Sequence, residues 1–288
     1  MFFMKIQTAT KTTRNIIIIL LFSLFKNISV SAQDIFDAAH SVAYAEYLYK
    51  TGQFTESAAE YERVVFFRPD SFSYKVKLIS AYRKSRQSEK AFNRIENIFG
   101  TNKKLYPCPI SQNYISILFE KEDTSRISNC FSEKLNLEPN RETEFRFGLS
   151  MLENHWQKAE NEIKKLPQDN VKTSEMKSIL LSAQNTKLKN KTLAVGLSAI
   201  IPGMGKVYSK NYTDGLIVFT IVSVNAWQAY RGFRKEGKTS VYGWIFGSVS
   251  AGFYLGNLYG AAKSVKKYNR RKIEEIHEEV LNILLSDK

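Results

Sequence analysis

From residue 33 to residue 185, apolar side chains recur three and four positions apart in blocks of about a dozen, separated by short polar turns. That spacing predicts amphipathic helices stacked in pairs. The stretch Tyr47 to Asp70 (YLYKTGQFTESAAEYERVVFFRPD) sets the pattern, with Leu48, Gly52 and Phe54 at a turn, then Tyr61 and Val64, and Pro69 closing it. Small residues at Ala45 and Ser57 let two helices of a hairpin approach closely. A second copy follows in phase, with Leu78, Tyr82, Ala91, Ile95 and Ile98 in place and Arg86 where the first copy has Gly52. A third uses Tyr114, Leu118, Ile127, Phe131 and Pro139. Phe147, Gly148, Met151, Trp156, Ala159 and Ile163 make one more hairpin, with the register slipped by a residue.

After the polar connector Gln184 to Lys191 (QNTKLKNK) the pattern changes. Three apolar segments follow: Thr192 to Val207, Gly215 to Tyr230 and Ser240 to Ala262. The third would be about 34 Å long as a helix, enough to cross a bilayer; the second, at about 24 Å, is short unless flanking residues join it; the first is broken by Pro202, Gly203 and Gly205 and reads either as a bent span or as a re-entrant element. In the third, Gly243, Gly247 and Ala251 form one row of small residues four apart, and Gly252, Gly256 and Gly260 another. Such rows are packing faces between membrane helices, and glycine is otherwise costly in an exposed helix. The glycine-rich helix is also a candidate surface for homo-oligomers. Trp227, Tyr230, Tyr242 and Trp244 lie near segment ends, as interfacial aromatics do. The tail, 268–288, carries Ile273, Ile276, Val280, Ile283 and Leu284 at helical spacing with four Glu between, an amphipathic helix for a partner, a membrane surface or its own chain.

The leader, 1–32, reads as a secretory signal: Lys5, Lys11 and Arg14, then the apolar run Ile16 to Phe25, then Val30, Ser31 and Ala32. Cleavage is expected after Ala32. The domain expectation is therefore a signal peptide (1–32), a helical repeat module (33–185), a linker (186–191), a membrane-embedded helical region (192–267) and the tail (268–288), all-α throughout.

The repeat positions resemble those of the tetratricopeptide (TPR) repeat. The resemblance implies a solenoid whose concave groove is lined by the first helix of each pair and takes a protein or peptide ligand. It places Tyr49, Lys50, Arg83, Lys84 and Phe119 in that groove. The run Pro202 to Tyr208 (PGMGKVY), with Asp214 and Gly215 beyond it, resembles a family of bacterial membrane domains of unknown function that carry a P-G-[LM]-G-x-x-Y turn. Pro202, Gly203, Gly205 and Tyr208 are its marks here, with Lys206 where Gln is common.

A net charge of +14 first suggests nucleic acid, but its placement argues otherwise. Residues 33–185 hold 22 Lys/Arg against 21 Asp/Glu, and the excess sits in the leader and in 186–288, where 16 cations face seven anions. Cations that flank apolar segments serve orientation in a lipid bilayer, whereas a nucleic-acid protein carries them on its folded binding face. If three segments cross with the repeats outside, eight flanking cations lie inside against seven outside; two crossings give four against eleven, so the positive-inside rule favours three.

Candidate chemistry is thin. His40, His155 and His277 are scattered, with no Cys or acidic residue at metal-ligand spacing. The Gly203 to Lys206 cluster fails as a phosphate loop, because Ile200 stands at its first Gly position and Val207 replaces Ser/Thr. Cys108 and Cys130 fall about 10 Å out of register across a hairpin, too far for a disulfide. The expectation is an envelope scaffold in the inner membrane with its repeats in the periplasm, not an enzyme, and with no cofactor or metal. The alternative is a small oligomeric transport or secretion accessory in which Asn225, Gln228 and Asn257 act inside the bilayer.

Overall fold

Three- and four-residue apolar spacing dictates helices, and all the regular structure among the described residues is helical: thirteen α-helices and two 3₁₀ turns. The computed structural model describes residues 38–286, so the expected signal peptide and its cleavage after Ala32 lie outside the described residues. The chain divides into two compact units between Gln87 and Ser88, and the polar connector 186–191 lies inside the second.

In the first unit, α1 (Ala38–Lys50), α2 (Phe54–Phe67) and α3 (Phe72–Lys84) share one core of Ala45, Ala58, Tyr61, Val64, Val65, Leu78 and Ala81. The small pair does what its size allows. Ser57 is fully buried and its hydroxyl donates to the Ala45 carbonyl at 2.9 Å, so the α1 and α2 backbones meet without a gap. Gly52 takes φ +80° at the turn between them, a left-handed conformation that costs glycine little.

The second unit begins with α4 (Ser88–Phe99), then α5 (Cys108–Glu120) with α6 (Thr124–Ser132), α7 (Pro139–Leu152) with α8 (Trp156–Ile163), and α9 (Val171–Asn185). Pro109 and Pro139 lie in the first turns of α5 and α7, where a missing N–H breaks no helical bond. The periodic residues of these copies are the buried ones: Ala91, Ile95, Leu118, Ile127, Phe147, Met151 and Ala159 are all shielded from solvent.

Beyond the connector come α10 (Lys191–Ile200), the short α11 (Met204–Tyr208), α12 (Tyr212–Glu236) and α13 (Val241–Leu285). The third apolar segment and the tail are thus one uninterrupted helix of 45 residues. Among the described residues no helix is long and apolar enough to cross a membrane, which corrects the spans expected at 215–230 and 240–262. The lengths suffice but the composition does not: Asp214, Asn225 and Gln228 interrupt α12, and glycines, serines and Asn257 dilute the apolar part of α13.

Candidate functional site

The P-G-M-G turn is built by close packing. Gly203 has φ +86°, and a Cβ there would collide with the Gly215 carbonyl of α12. A Cβ on Gly205 would collide with the Ala194 carbonyl of α10, and one on Gly215 would come within 2.7 Å of Val207. Buried Asn257 of α13 clasps the turn: its Oδ1 accepts the Gly203 N–H at 3.1 Å and its Nδ2 donates to the Ser198 carbonyl at 3.2 Å. The Ser198 hydroxyl accepts the Gly205 N–H at 2.9 Å. Pro202, Gly203 and Gly205 therefore fold α10 back through α11.

Tyr208 closes the fold-back. Its hydroxyl accepts the Asn190 N–H at 3.2 Å, and Lys189 lies over its ring at 4.6 Å. Asn269 of α13 holds the same connector by both edges, accepting the Lys189 N–H at 2.8 Å and donating to the Lys189 carbonyl at 2.9 Å. Ser209 and Ser264 share a hydroxyl contact of 2.6 Å. The stretches 187–191, 206–210 and 263–272 thus converge on one rim that carries eleven Lys/Arg and no carboxylate. At its edge Arg270 and Lys272 pair with Glu274 and Glu275, one turn further along α13. The rim corrects the three-crossing arrangement, which sends 187–191 and 206–210 to opposite sides; the hydrogen bonds put them together. Only Arg231, Arg234, Lys235 and Lys238 stand at the other end of the α12–α13 pair.

Below the rim the surface is apolar. Ile200, Leu216, Leu255 and Tyr259 are 80%, 66%, 66% and 75% exposed; Ile217, Phe219 and Phe253 are exposed as well, and Trp227, Trp244 and Ile245 are exposed towards the other end of the α12–α13 pair. Large apolar side chains are thus exposed along α10, α12 and α13.

The glycine rows part company. A Cβ at Gly243 would lie 2.8 Å from the Phe233 ring, and one at Gly247 3.7 Å from Ala229, so that row is the α12–α13 contact. Gly232, which spacing did not single out, faces it, with a Cβ only 2.7 Å from the Gly243 nitrogen. At Gly252 and Gly256 a Cβ would meet nothing within 4 Å, and at Gly260 only the Lys206 side chain. Gly252 and Gly256 therefore pack against no other helix among the described residues, whereas Gly260 faces the Lys206 side chain of α11. Of the intramembrane polar candidates, Asn257 is spent on the turn and Asn225 donates to the Ile221 carbonyl of its own helix at 2.7 Å. Gln228 keeps a buried Oε1 without a hydrogen-bond partner.

Of the groove candidates, Tyr49 and Lys84 come together, the ammonium 5.1 Å from the ring centre and the Tyr49 hydroxyl 2.7 Å from Ser80. Lys50 is exposed, whereas Arg83 is buried. Phe119 is a correction. It is fully buried, stacked on Phe145 at 5.4 Å, and covered by the chain's own tail. Leu284 of α13 seats at Gly148, where a Cβ would collide with it and come within 3.1 Å of Phe119. Arg141 of α7 donates to the Leu284 carbonyl at 2.7 Å and pairs with Glu144, which Lys172 of α9 also reaches at 2.8 Å. Ile276, Val280 and Ile283 are buried with it. The periodicity of the tail marked the apolar face correctly; nothing in it said which surface that face covers.

Titratable groups offer little reactivity. Cys108 and Cys130 are free thiols, and burial pushes the Cys130 thiol up to about 11, so it is no nucleophile near neutral pH. Burial likewise lifts Tyr106 and Tyr114 to about 12. Among the described residues no group of His, Cys, Asp and Glu could hold a metal. Comparison with family models, with curated proteins and with solved structures returned no match.

Proposed function

We propose that this chain is a membrane-seated, TPR-like scaffold of the bacterial cell envelope that holds a protein or peptide partner and performs no chemistry of its own. One observation carries the reading: helices α10, α12 and α13 leave large apolar side chains exposed directly below a rim of eleven cations. Lipid solvates such a belt, and a basic border matches the anionic surface of a bilayer. The membrane association is that of the fold-back and the α12–α13 pair as one body. The partner surface is placed at Tyr49, Lys50 and Lys84 of the first unit, since Phe119 is taken by the tail.

Two signals bear on orientation and they oppose each other. The leader exports the repeats to the periplasm, whereas the eleven rim cations are drawn to anionic lipid, which gives the cytoplasmic leaflet its negative surface. We place the repeats in the periplasm at the inner membrane, because an export signal acts before the rim is made. Protease added to intact spheroplasts should digest the repeat region; protection there would reverse the orientation. Flotation of the full-length chain with vesicles tests the membrane reading itself, and recovery of all the protein in the vesicle-free fraction would end it. Lysine-directed crosslinking in native envelopes should join Lys50 or Lys84 to one recurrent protein; crosslinks scattered over abundant envelope proteins would refute the scaffold.

The transport alternative depended on Asn225, Gln228 and Asn257, and two of the three are occupied by structural hydrogen bonds. No observation favours it.

A further inference from the structure

Beside the open glycine row runs a groove of about 640 Å³, walled by Ile217 and Ile221 of α12 and by Val249 and Phe253 of α13. Gly252 and Gly256 are its floor, and a Cβ at either would meet nothing within 4 Å. Lys206 stands at one end, its Cε 3.2 Å and its Nζ 3.6 Å from where a Cβ of residue 260 would be. Positions three, four and seven apart share a helix face, so the line Gly256, Gly260 continues into Lys263 and Lys267 of the rim. Among the described residues none of Lys206, Lys263 and Lys267 is in an ion pair.

An apolar channel with Lys206 at its end, and Lys263 and Lys267 further along the same face of α13, fits a ligand with a hydrocarbon chain and an anionic head. A purely apolar ligand leaves the lysines unused, and a soluble anion leaves the groove unfilled. A second copy of α13 packed in parallel on the glycines would set rim against rim, cation beside cation, which like charge opposes. We propose that an anionic phospholipid occupies this groove, with an acyl chain over Gly252 and Gly256 and its phosphate over Lys206, Lys263 and Lys267. The proposal rests on the membrane-seated reading above and adds to it a preferred lipid and a place for it.

The test is native mass spectrometry of the detergent-solubilised full-length chain, given phosphatidylglycerol or phosphatidylcholine with identical acyl chains, alongside flotation with vesicles of each. Phosphatidylglycerol should be retained preferentially. A basic residue near an anionic headgroup contributes roughly fivefold, so K206Q/K263Q/K267Q should lower that preference by on the order of 100-fold. The same variant should still float with neutral vesicles. Gly256→Phe, placed where there is room for it, should reduce retention of both lipids at unchanged helix content.

Equal retention of the two lipids by the wild type, or an unchanged preference in the triple variant, overturns the proposal and leaves the membrane reading standing. A dimer that Gly256→Phe converts to monomer assigns the groove to a second copy and also overturns it. Failure of the wild type to float with either vesicle overturns both.

Discussion

Left-handed backbone recurs at the turns between successive helices, at Gly52, Arg86, Glu122 and Asn154, with φ of 80°, 59°, 51° and 59°. Only the first is glycine. An L side chain in that region costs about 1–2 kcal/mol, part of which glycine returns through its freedom in the unfolded chain. Arg86→Gly should therefore stabilise the protein by about 0.5–1 kcal/mol, seen as a rise of a few degrees in Tm. A fall in Tm would show that the arginine side chain contributes more than its backbone costs. Asn257 presents the opposite case, a polar group whose loss strands others. Asn257→Ala leaves the Gly203 N–H and the Ser198 carbonyl buried without it, at a cost of about 1–3 kcal/mol, measurable by urea denaturation. No loss of stability would mean that the turn is held by its glycine contacts alone. Asn257 was visible in the sequence only as a polar residue in an apolar run. Its partners, Gly203 and Ser198, belong to a distant stretch of chain, beyond the reach of any local pattern.

Among the elements, the end of α13 carries the sharpest expectations. Gly148→Ala should drive Leu284 from its seat, at an overpacking cost of about 1–3 kcal/mol, and raise hydrogen exchange in residues 273–286. Adding Leu284→Ala should remove the collision, so that the double variant exchanges more slowly than Gly148→Ala alone. Exchange in the tail that ignores Gly148→Ala would contradict the seat.

The tail should also respond to acid. Burial depresses the His277 imidazole, with Glu122 and Glu274 partly opposing it, and its buried Nε2 has no hydrogen-bond partner. An undocked His277 takes a proton near pH 6.5 and the docked one resists it. The docked state is thus fully favoured above about pH 6.5 and weakens as pH falls below that value through the depressed pKa. Tail exchange at pH 5.5 should exceed that at pH 7.5 after correction for intrinsic rates, and His277→Leu should flatten the difference. A tail tighter in acid would reverse the assignment. Helix pairs were legible because Ala45 and Ser57, or Leu118 and Ile127, sit at spacings that sterics alone interpret. The tail face was legible for the same reason. Its docking place was not, since Gly148 reads locally as one more helical position and acquires meaning only from Leu284, near the opposite end of the unit's sequence.

For the whole molecule, charge and apolarity are sorted along the chain, and that much stood in the sequence: balanced repeats, an apolar stretch, a cationic flank. Which cations share an end did not, because Lys189 and Asn269, or Asn190 and Tyr208, are joined by hydrogen bonds that no periodicity encodes. Segment length alone suggested crossings; the polar and glycine content of α12 and α13 withholds them. One helix nevertheless links the apolar belt to the repeat core, since α13 runs unbroken from Val241 to Leu285, about 68 Å. The same helix is held at Asn257, at Asn269 and at Leu284. On the membrane-seated reading proposed above, a change of slant imposed on one end by the thickness or curvature of the lipid would arrive at the other as sideways travel, and the Gly148 seat would register it as strain.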